Sequence, residues 1–254
     1  MKPKERQSAI LDYLQLNGRT PVDDLAFYFK TTGTTIRKDL TALETEGKVL
    51  RTYGSVVLAS NNDEVELPII NKAHINLEIK KKIAYEAAKL LKDGDSVIMD
   101  SGSTVLQMIP FMAVTDLTIM TNSLPITNAL VNSNKDYELL MTGGTYRPKS
   151  GSYHGILAES TVAKFSFDKL FIGTDGFDLD LGLTTFNEVH GVSKAMCNAA
   201  AKIIVLTDSS KFNRRSPNVV CPIEKINTLI TDSGLDKKIY QALLEKGINV
   251  ILAD

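Results

Sequence analysis

Short polar turns recur in the second half of the chain, and their residue types suit a phosphate-bearing ligand. The turn SGST at 101–104 follows the apolar segment 96–100, and TNS at 121–123 follows 117–120. Glycine-hydroxyl turns that open a helix present backbone N–H groups and hydroxyls to phosphate oxygens. We therefore expect a phosphate to lie against residues 101–104, with Lys211 neutralising its charge.

Three more polar turns follow apolar segments, at 142–144 (TGG), 174–176 (TDG) and 207–212 (TDSSKF). Two carboxylates, Asp100 and Asp175, can accept hydrogen bonds from sugar hydroxyls. One such turn is more often only a turn, but five that converge favour a small polyol or sugar-phosphate site. No catalytic residue, metal site or cofactor is predicted. The predicted ligand-binding residues are Asp100, Ser101, Gly102, Ser103, Thr104, Thr121, Asn122, Ser123, Gly143, Gly144, Asp175, Glu188 and Lys211.

The apolar segments themselves have the composition of strands in a parallel α/β sheet. They are short, and helical segments separate several of them, as in repeated strand–helix–strand units. Ligands of such sheets bind just beyond the carboxyl ends of the strands, where the polar turns fall. Residues 77–91 are predicted to form an amphipathic helix with Lys80, Lys81 and Lys82 on its solvated face. The predicted strands are 96–100, 117–120, 137–141, 169–173, 202–206, 227–231 and 249–253.

Near the N-terminus, residues 31–40 (TTGTTIRKDL) combine small hydroxyl side chains with two adjacent cations. Two short helical segments precede them, at about 4–16 and 21–30, so residues 33–46 are predicted to be the third helix of a helix-turn-helix. Thr32 is the predicted N-cap of this helix, because its hydroxyl can accept from the first free N–H groups. The apolar stripe that faces the first two helices is formed by Ile36, Leu40 and Leu43.

The opposite side of this third helix has the features of a DNA-reading surface. Small residues at its N-terminus allow close approach, and exposed N–H groups and hydroxyls suit phosphate oxygens. Arg37 can bind a guanine edge or a phosphate through two hydrogen bonds, while Lys38 acts as a point charge. Residues 49–51 and 56–58 are predicted to form a wing. The alternative is a three-helix bundle with a solvated cationic face. The predicted DNA-binding residues are Thr32, Gly33, Thr34, Thr35, Arg37, Lys38, Arg51 and Tyr53.

Composition and charge limit the classes of protein to consider. The chain has 254 residues, 43% hydrophobic and 23% charged, which is typical of a soluble globular protein. No apolar run reaches the ~20 residues that span a bilayer, and no secretory signal is recognisable, so we predict a cytoplasmic protein. The net charge of −1 argues against a general polyanion binder. If the N-terminal helix-turn-helix and wing bind DNA, as a DNA-binding head, their cations must therefore be concentrated on one face.

The polar segment 60–68 (SNNDEVELP) has the composition of a linker. It predicts a winged helix-turn-helix domain at 1–58, a linker at 59–75 and a sugar-phosphate-sensing α/β domain at 76–254.

Several motifs resemble one known family. In residues 6–58, TTGTTIRKDL, LETEG and RTYG are similar to the helix-turn-helix and wing signature of the DeoR family of bacterial sugar-operon repressors. DSGST, TNS, GTDG and DSSKF resemble that family's sensor domain, which is related in fold to ribose-5-phosphate isomerase. The resemblance implies a repressor released from operator DNA by a phosphorylated sugar. Residues 184–200 and 208–224 are most similar to members that control glucitol (sorbitol) operons, which implies glucitol 6-phosphate as effector.

The alternative function is a sugar-phosphate isomerase with an appended DNA-binding head. Asp175, Asp178 or Glu188 could supply the base that isomerisation requires. The related isomerases carry a lysine and a glycine run soon after their acidic motif, and the stretch DLDLGLTTFNE has neither. We therefore predict ligand binding without turnover, in a homo-oligomer (dimer or tetramer) that sets two heads on one face of the DNA.

Overall fold

The computed structural model describes residues 1–17, 20–52, 54–58, 68–185 and 191–254. These residues form two compact units, one containing the N-terminal helices and the other the large sheet. Tyr53, Glu188 and most of the predicted linker lie outside the described residues.

The N-terminal unit packs three helices against a small antiparallel sheet. Thr32 caps the third helix as predicted, because its Oγ1 accepts from the backbone N–H of Thr35 at 3.2 Å. The predicted stripe is also confirmed, since Ile36, Leu40 and Leu43 are all buried. The elements are α1 (Pro3–Asn17), β1 (Thr20–Pro21), α2 (Val22–Tyr28), α3 (Gly33–Thr45), β2 (Val49–Thr52) and β3 (Ser55–Leu58).

The wing is confirmed and gains a strand that the sequence did not predict. β2 and β3 pair antiparallel, and β1 adds to β3 with Thr20 opposite Val56. Between β2 and β3, Gly54 has a φ of +70°, which glycine adopts without steric cost.

The second unit contains the parallel sheet. All seven predicted strands are present, and within the described residues they form one sheet in the order β15-β14-β12-β9-β4-β5-β6, with every pair parallel. Its elements are α4 (Ile69–His74), α5 (Leu77–Ala88), β4 (Asp95–Met99), α6 (Ser103–Leu106), β5 (Leu117–Thr121), α7 (Leu124–Val131), β6 (Glu138–Met141), β7 (Thr145–Arg147), β8 (Ser152–His154), α8 (Ile156–Val162), β9 (Phe167–Ile172), β10 (Gly176–Asp178), β11 (Gly182–Thr185), α9 (Val192–Ala199), β12 (Ala200–Leu206), β13 (Asn218–Cys221), β14 (Ile226–Asp232), α10 (Lys237–Glu245) and β15 (Asn249–Ala253).

Helices cover both faces of this sheet, and each face has its own buried cluster. On one face Val97 and Met99 of β4 pack with Ile83 of α5. On the other face Ile98 packs with Met196 of α9. Alternate residues of each strand therefore enter opposite cores, which explains the near-continuous apolar strands.

Two small antiparallel sheets were not predicted. β7 and β8 form a hairpin, and β10, β11 and β13 form a three-stranded sheet after β9. These strands have only three or four residues each. Runs this short carry little periodicity, so the tertiary contacts rather than the local pattern define them.

Candidate functional site

Polar side chains lie one after another along the carboxyl edge of the seven-stranded sheet. Asn122 follows β5, Asp100 follows β4 and Asp175 lies shortly after β9, and these three strands are neighbours. Asp208 follows β12, the strand next to β9, and so continues this row of polar side chains. Adjacent strands lie about 4.8 Å apart, so the four strand ends that carry these groups span about 15 Å.

Asp175 forms an ion pair with Lys72, a residue that was not predicted to belong to the site. Its Oδ1 accepts from Lys72 Nζ at 2.5 Å, and its Oδ2 accepts from Thr185 Oγ1 at 2.9 Å. Burial alone would raise the pKa of Asp175, but Lys72, Lys211 and Thr185 together hold it below its ordinary value. Asp175 is therefore ionised at neutral pH and fixes the ammonium of Lys72 at this edge.

Lys80 is buried, which contradicts the solvated face predicted for it. The residue is only 5% exposed, and its Nζ donates to the backbone carbonyl of Lys72. Burial lowers the pKa of Lys80 to about 8, even though the nearby charge of Asp208 raises it. Of the two neighbouring lysines, Lys82 is exposed, as predicted, whereas Lys81 is half-buried and forms an ion pair with Glu78.

Lys211 lies at the end of a 3-10 turn that Asp208 begins. The turn spans Ser209–Lys211, and Asp208 caps it by accepting from the backbone N–H of Ser210 at 3.1 Å. Desolvation lowers the pKa of Lys211, although Asp208 and Asp175 both oppose this. Within the described part of the chain, neither Lys80 nor Lys211 has a carboxylate within the 4.0 Å of an ion pair.

The SGST turn follows β4 at the carboxyl edge of the sheet. Gly102 is the N-cap of the short helix α6, and Ser103 and Thr104 are buried. A Cβ on Gly102 would lie 3.0 Å from Val105 Cγ2 and 3.4 Å from the backbone nitrogen of Gly173. Glycine at this position therefore allows β4 and β9 to approach closely at their carboxyl ends.

Other predicted ligand residues use their polar atoms within the protein. Thr121 donates from Oγ1 to the carbonyl of Met99 at 2.6 Å, and Ser123 caps α7 by accepting from Ile126 N–H. Gly143 and Gly144 have φ values of +64° and +111°, and they form the turn that leads into the β7–β8 hairpin. These residues shape the edge of the sheet.

In the N-terminal unit, the predicted contact residues at the start of α3 are on its surface. Thr34, Arg37 and Lys38 are exposed, and Gly33 is half-buried with the guanidinium of Arg37 above it. Arg51 is held against α3, because its Nη1 donates to Thr41 Oγ1 at 3.3 Å.

Sequence reasoning missed Lys72, Lys80 and Asp208 as members of the site. A signal existed for Lys80, which precedes Ile83, Ala84 and Ala87 by three, four and seven residues, the spacing of a buried stripe. No comparable signal existed for Lys72, which lies in the segment predicted to be linker. No group of three metal-binding side chains occurs among the described residues, and no helix there is long and apolar enough to cross a membrane.

A winged helix-turn-helix head combined with a parallel α/β domain that carries a lysine-rich site defines a transcriptional regulator with a sensor domain. Comparison with known families agrees with this class. Residues 6–62 match the DeoR-like helix-turn-helix domain, and residues 75–233 match the DeoR C-terminal sensor domain. The chain belongs to the DeoR family of transcriptional repressors.

Similar proteins extend over nearly the whole chain. The "Putative aga operon transcriptional repressor" of Escherichia coli O157:H7 is 37% identical over 98% of this chain and 93% of its own length. The lactose phosphotransferase system repressor of Lactococcus lactis subsp. lactis is 30% identical over 92% of this chain and 93% of its own. Among solved structures, ribose 5-phosphate isomerase A of Methanocaldococcus jannaschii matches with a TM-score of 0.40 and 20% identity, over 55% of this chain and 56% of that one.

Proposed function

We propose that this repressor controls a sugar or polyol utilisation operon and leaves its operator when a sugar phosphate, glucitol 6-phosphate in this proposal, binds the sensor domain. The observation that carries the proposal is the pair of ammonium groups of Lys80 and Lys211. Both are desolvated and lie near Asp208, yet neither forms an ion pair with a described residue. A desolvated cation without a paired anion is costly, and a bound phosphate would supply that anion.

The surrounding groups support a ligand that is both phosphorylated and hydroxylated. Lys72 adds a third ammonium at the same edge, held there by Asp175. Carboxylates accept hydrogen bonds from sugar hydroxyls, and Asp100 and Asp175 lie on neighbouring strand ends. The lysines would bind the phosphate, with the SGST turn beside them, and the acidic side chains would bind the hydroxyls.

The structure also supports binding without turnover. Asp178, one candidate base of the isomerase alternative, accepts from the backbone N–H groups of Asp180 and Leu181 at 2.9 Å and from Arg215 Nε at 2.5 Å. These donors outweigh the effect of burial and hold the pKa of Asp178 below its ordinary value. A general base works best with a pKa near the working pH, so this carboxylate suits a turn better than proton abstraction.

Release from DNA requires a difference in ligand affinity between two states of the protein. The effector must bind the form that is incompetent for DNA more tightly. A coupling free energy of about 1–3 kcal/mol would weaken operator binding roughly 5- to 150-fold. In this proposal a homo-oligomer, dimer or tetramer, places two heads on half-sites about 10 bp apart or multiples of that distance.

Fluorescence anisotropy of a labelled fragment from the gene's own upstream region tests the proposal. The fragment is titrated with protein at fixed salt, alone and with glucitol 6-phosphate, free glucitol or ribose 5-phosphate. Specific binding released only by glucitol 6-phosphate is the expected result. Specific binding that no sugar phosphate releases would remove the effector, and consumption of ribose 5-phosphate without specific DNA binding would favour the isomerase.

A further inference from the structure

Asp100 and Asn122 occupy equivalent positions on two neighbouring parallel strands. The register of β4 and β5 pairs Met99 with Thr121, so the next residue on each strand is Asp100 and Asn122. Ile98 and Met120, two residues earlier, are buried in the same cluster on one face of the sheet. Because strand side chains alternate between faces, Asp100 and Asn122 leave that same face, about 4.8 Å apart.

Each of these two side chains has a buried oxygen without a donor. Among the described residues, nothing donates a hydrogen bond to Asp100 Oδ1 or to Asn122 Oδ1. Asp100 is only 8% exposed and Asn122 is fully buried. Leaving a buried acceptor unsatisfied costs about 1–3 kcal/mol, so two on adjacent strand ends call for a physical explanation.

Hydrogen bonds to neighbouring strands hold both residues at the edge of the sheet. Asn122 donates from Nδ2 to the carbonyl of Tyr153 at 3.4 Å, which turns its Oδ1 away from the β7–β8 hairpin. The backbone N–H of Asp100 donates to the carbonyl of Phe171 at 3.0 Å. The two unsatisfied oxygens therefore belong to buried residues that are tied to neighbouring strands at the sheet edge.

Both atoms are acceptors, and this determines what chemistry can satisfy them. We propose that Asp100 and Asn122 bind the end of the effector remote from the phosphate, each accepting from one of two neighbouring hydroxyls, so that the site selects polyol phosphates against sugar-acid phosphates. This inference rests on the proposed function, because it assigns a selective role within the same effector site.

The selectivity follows from charge and hydrogen bonding together. A polyol end supplies a donor to each oxygen, whereas a carboxylate end supplies only acceptors and a negative charge beside Asp100. Burial raises the pKa of Asp100 to about 6, so it is still largely ionised at pH 7.5. A site built to pair with ligand hydroxyls rejects analogues that lack them strongly, and we expect a preference of at least about 100-fold.

Isothermal titration calorimetry on the full-length protein at pH 7.5 measures this preference. The ligands are glucitol 6-phosphate and mannitol 1-phosphate as polyols, 6-phosphogluconate as the sugar acid, and inorganic phosphate. Wild-type protein should bind a polyol phosphate at least about 100-fold more tightly than 6-phosphogluconate. Asp100→Asn should reduce that ratio to about tenfold or less, because the new amide can donate to a carboxylate and removes the charge.

Two further variants separate the role of the acceptors from general effects. Lys211→Met should weaken both organic ligands while leaving their ratio unchanged, since it removes only a phosphate partner. Thr231→Val removes another buried oxygen that lacks a donor, on β14, and should leave both affinities and their ratio unchanged. If Asp100→Asn fails to fold, Asn122→Asp, which adds a second carboxylate, should increase the preference for the polyol.

The outcomes distinguish this inference from the function on which it rests. Equal affinity of wild type for polyol and acid, or a ratio that neither Asp100→Asn nor Asn122→Asp changes, overturns the selectivity and leaves the sugar-phosphate site standing. Absence of binding by all the phosphate compounds, including inorganic phosphate, removes the effector site and this inference together.

Discussion

Arg6 of α1 and Asp39 of α3 form a two-pronged ion pair inside the N-terminal unit. Arg6 Nε donates to Asp39 Oδ2 at 2.5 Å and Nη2 donates to Oδ1 at 3.2 Å. Gln7 adds a longer contact to Oδ1 at 3.4 Å. Asp39 thus lies on the inner face of the helix that carries the predicted DNA contacts, and it fixes that helix against α1.

Breaking this pair should destabilise the head. The side chains of Arg6 and Asp39 are 13% and 4% exposed, so removing one partner leaves a nearly buried charge. We expect Arg6→Met to lower the free energy of unfolding by about 3 kcal/mol, measured by chemical denaturation. The double variant with Asp39→Leu should lose clearly less than the sum of the two single losses. Additive losses would show that the ion pair is not the stabilising contact.

Arg37 should contribute to operator affinity through its exposed position above Gly33. If Arg37 binds a base edge, Arg37→Ala should weaken operator binding by about 1–3 kcal/mol and affect unrelated DNA much less. Lys38→Ala is the matched control, since a point-charge contact to phosphate should weaken all sequences equally and reduce the salt dependence by about one ion. An equal loss on operator and unrelated DNA for Arg37→Ala would assign Arg37 to the phosphate backbone.

The sheet and the helix-turn-helix could be predicted because their patterns are local. Each strand of the large sheet is a short apolar run, and the cap, stripe and glycine turn of the head each lie within a few residues. Lys80 shows the limit of this reasoning. The residue type of Lys80 predicts a solvent-exposed side chain, although its spacing to Ile83 and Ala87 places it on the buried side of the helix. The nearby charge of Asp208 only partly offsets the burial of Lys80, and helical periodicity does not reveal such long-range effects.

Lys72 and Asp208 were missed for a related reason. Lys72 meets Asp175 across 103 residues of chain, and no local pattern connects α4 with the turn after β9. The sequence predicts Asp208 only as part of a polar turn. In the structure it caps that turn and interacts electrostatically with Lys80 and Lys211. Contacts between residues that are far apart in the chain depend on the order of the strands in the folded sheet, so no local sequence pattern predicts them.

Gly102 should be intolerant of a larger side chain. Valine would place its Cβ 3.0 Å from Val105 Cγ2 and its branches towards the backbone of Gly173. We expect Gly102→Val to reduce effector affinity more than tenfold, because the SGST turn and the end of β9 must move apart. Calorimetry with glucitol 6-phosphate measures this, and Gly102→Ala should give an intermediate loss. Unchanged affinity for the valine variant would remove the SGST turn from the phosphate site.

Effector binding should weaken at alkaline pH because of Lys80. Burial holds the pKa of Lys80 at about 8, below its ordinary value of 10.5. Above pH 8 the free protein has largely lost that ammonium, so a phosphate must bind with uptake of a proton. We expect the dissociation constant of glucitol 6-phosphate to rise as the pH increases from 7.5 to 9.5. In Lys80→Gln the affinity should be lower at pH 7.5 and should change much less over the same range.

The stability of the sensor domain should depend on pH through Asp100. Burial raises the pKa of Asp100 in the folded chain to about 6, above the ordinary value of 3.8. Between these values the folded state binds the proton more strongly than the unfolded state does. Its contribution to stability is therefore fully present below about pH 4 and is lost as the pH rises through about 6.

Asp100→Asn isolates this contribution, because an amide of the same shape does not ionise. The variant should be more stable than wild type at pH 7.5, by up to about 3 kcal/mol for a shift of two pKa units, and the difference should shrink towards pH 4. Urea denaturation followed by circular dichroism at several pH values measures it. Asp116→Asn, which changes an exposed aspartate, is the control and should follow wild type throughout. If Asp100→Asn also follows wild type at every pH, the carboxyl is already satisfied in the free protein and the unsatisfied acceptor beside Asn122 loses its role.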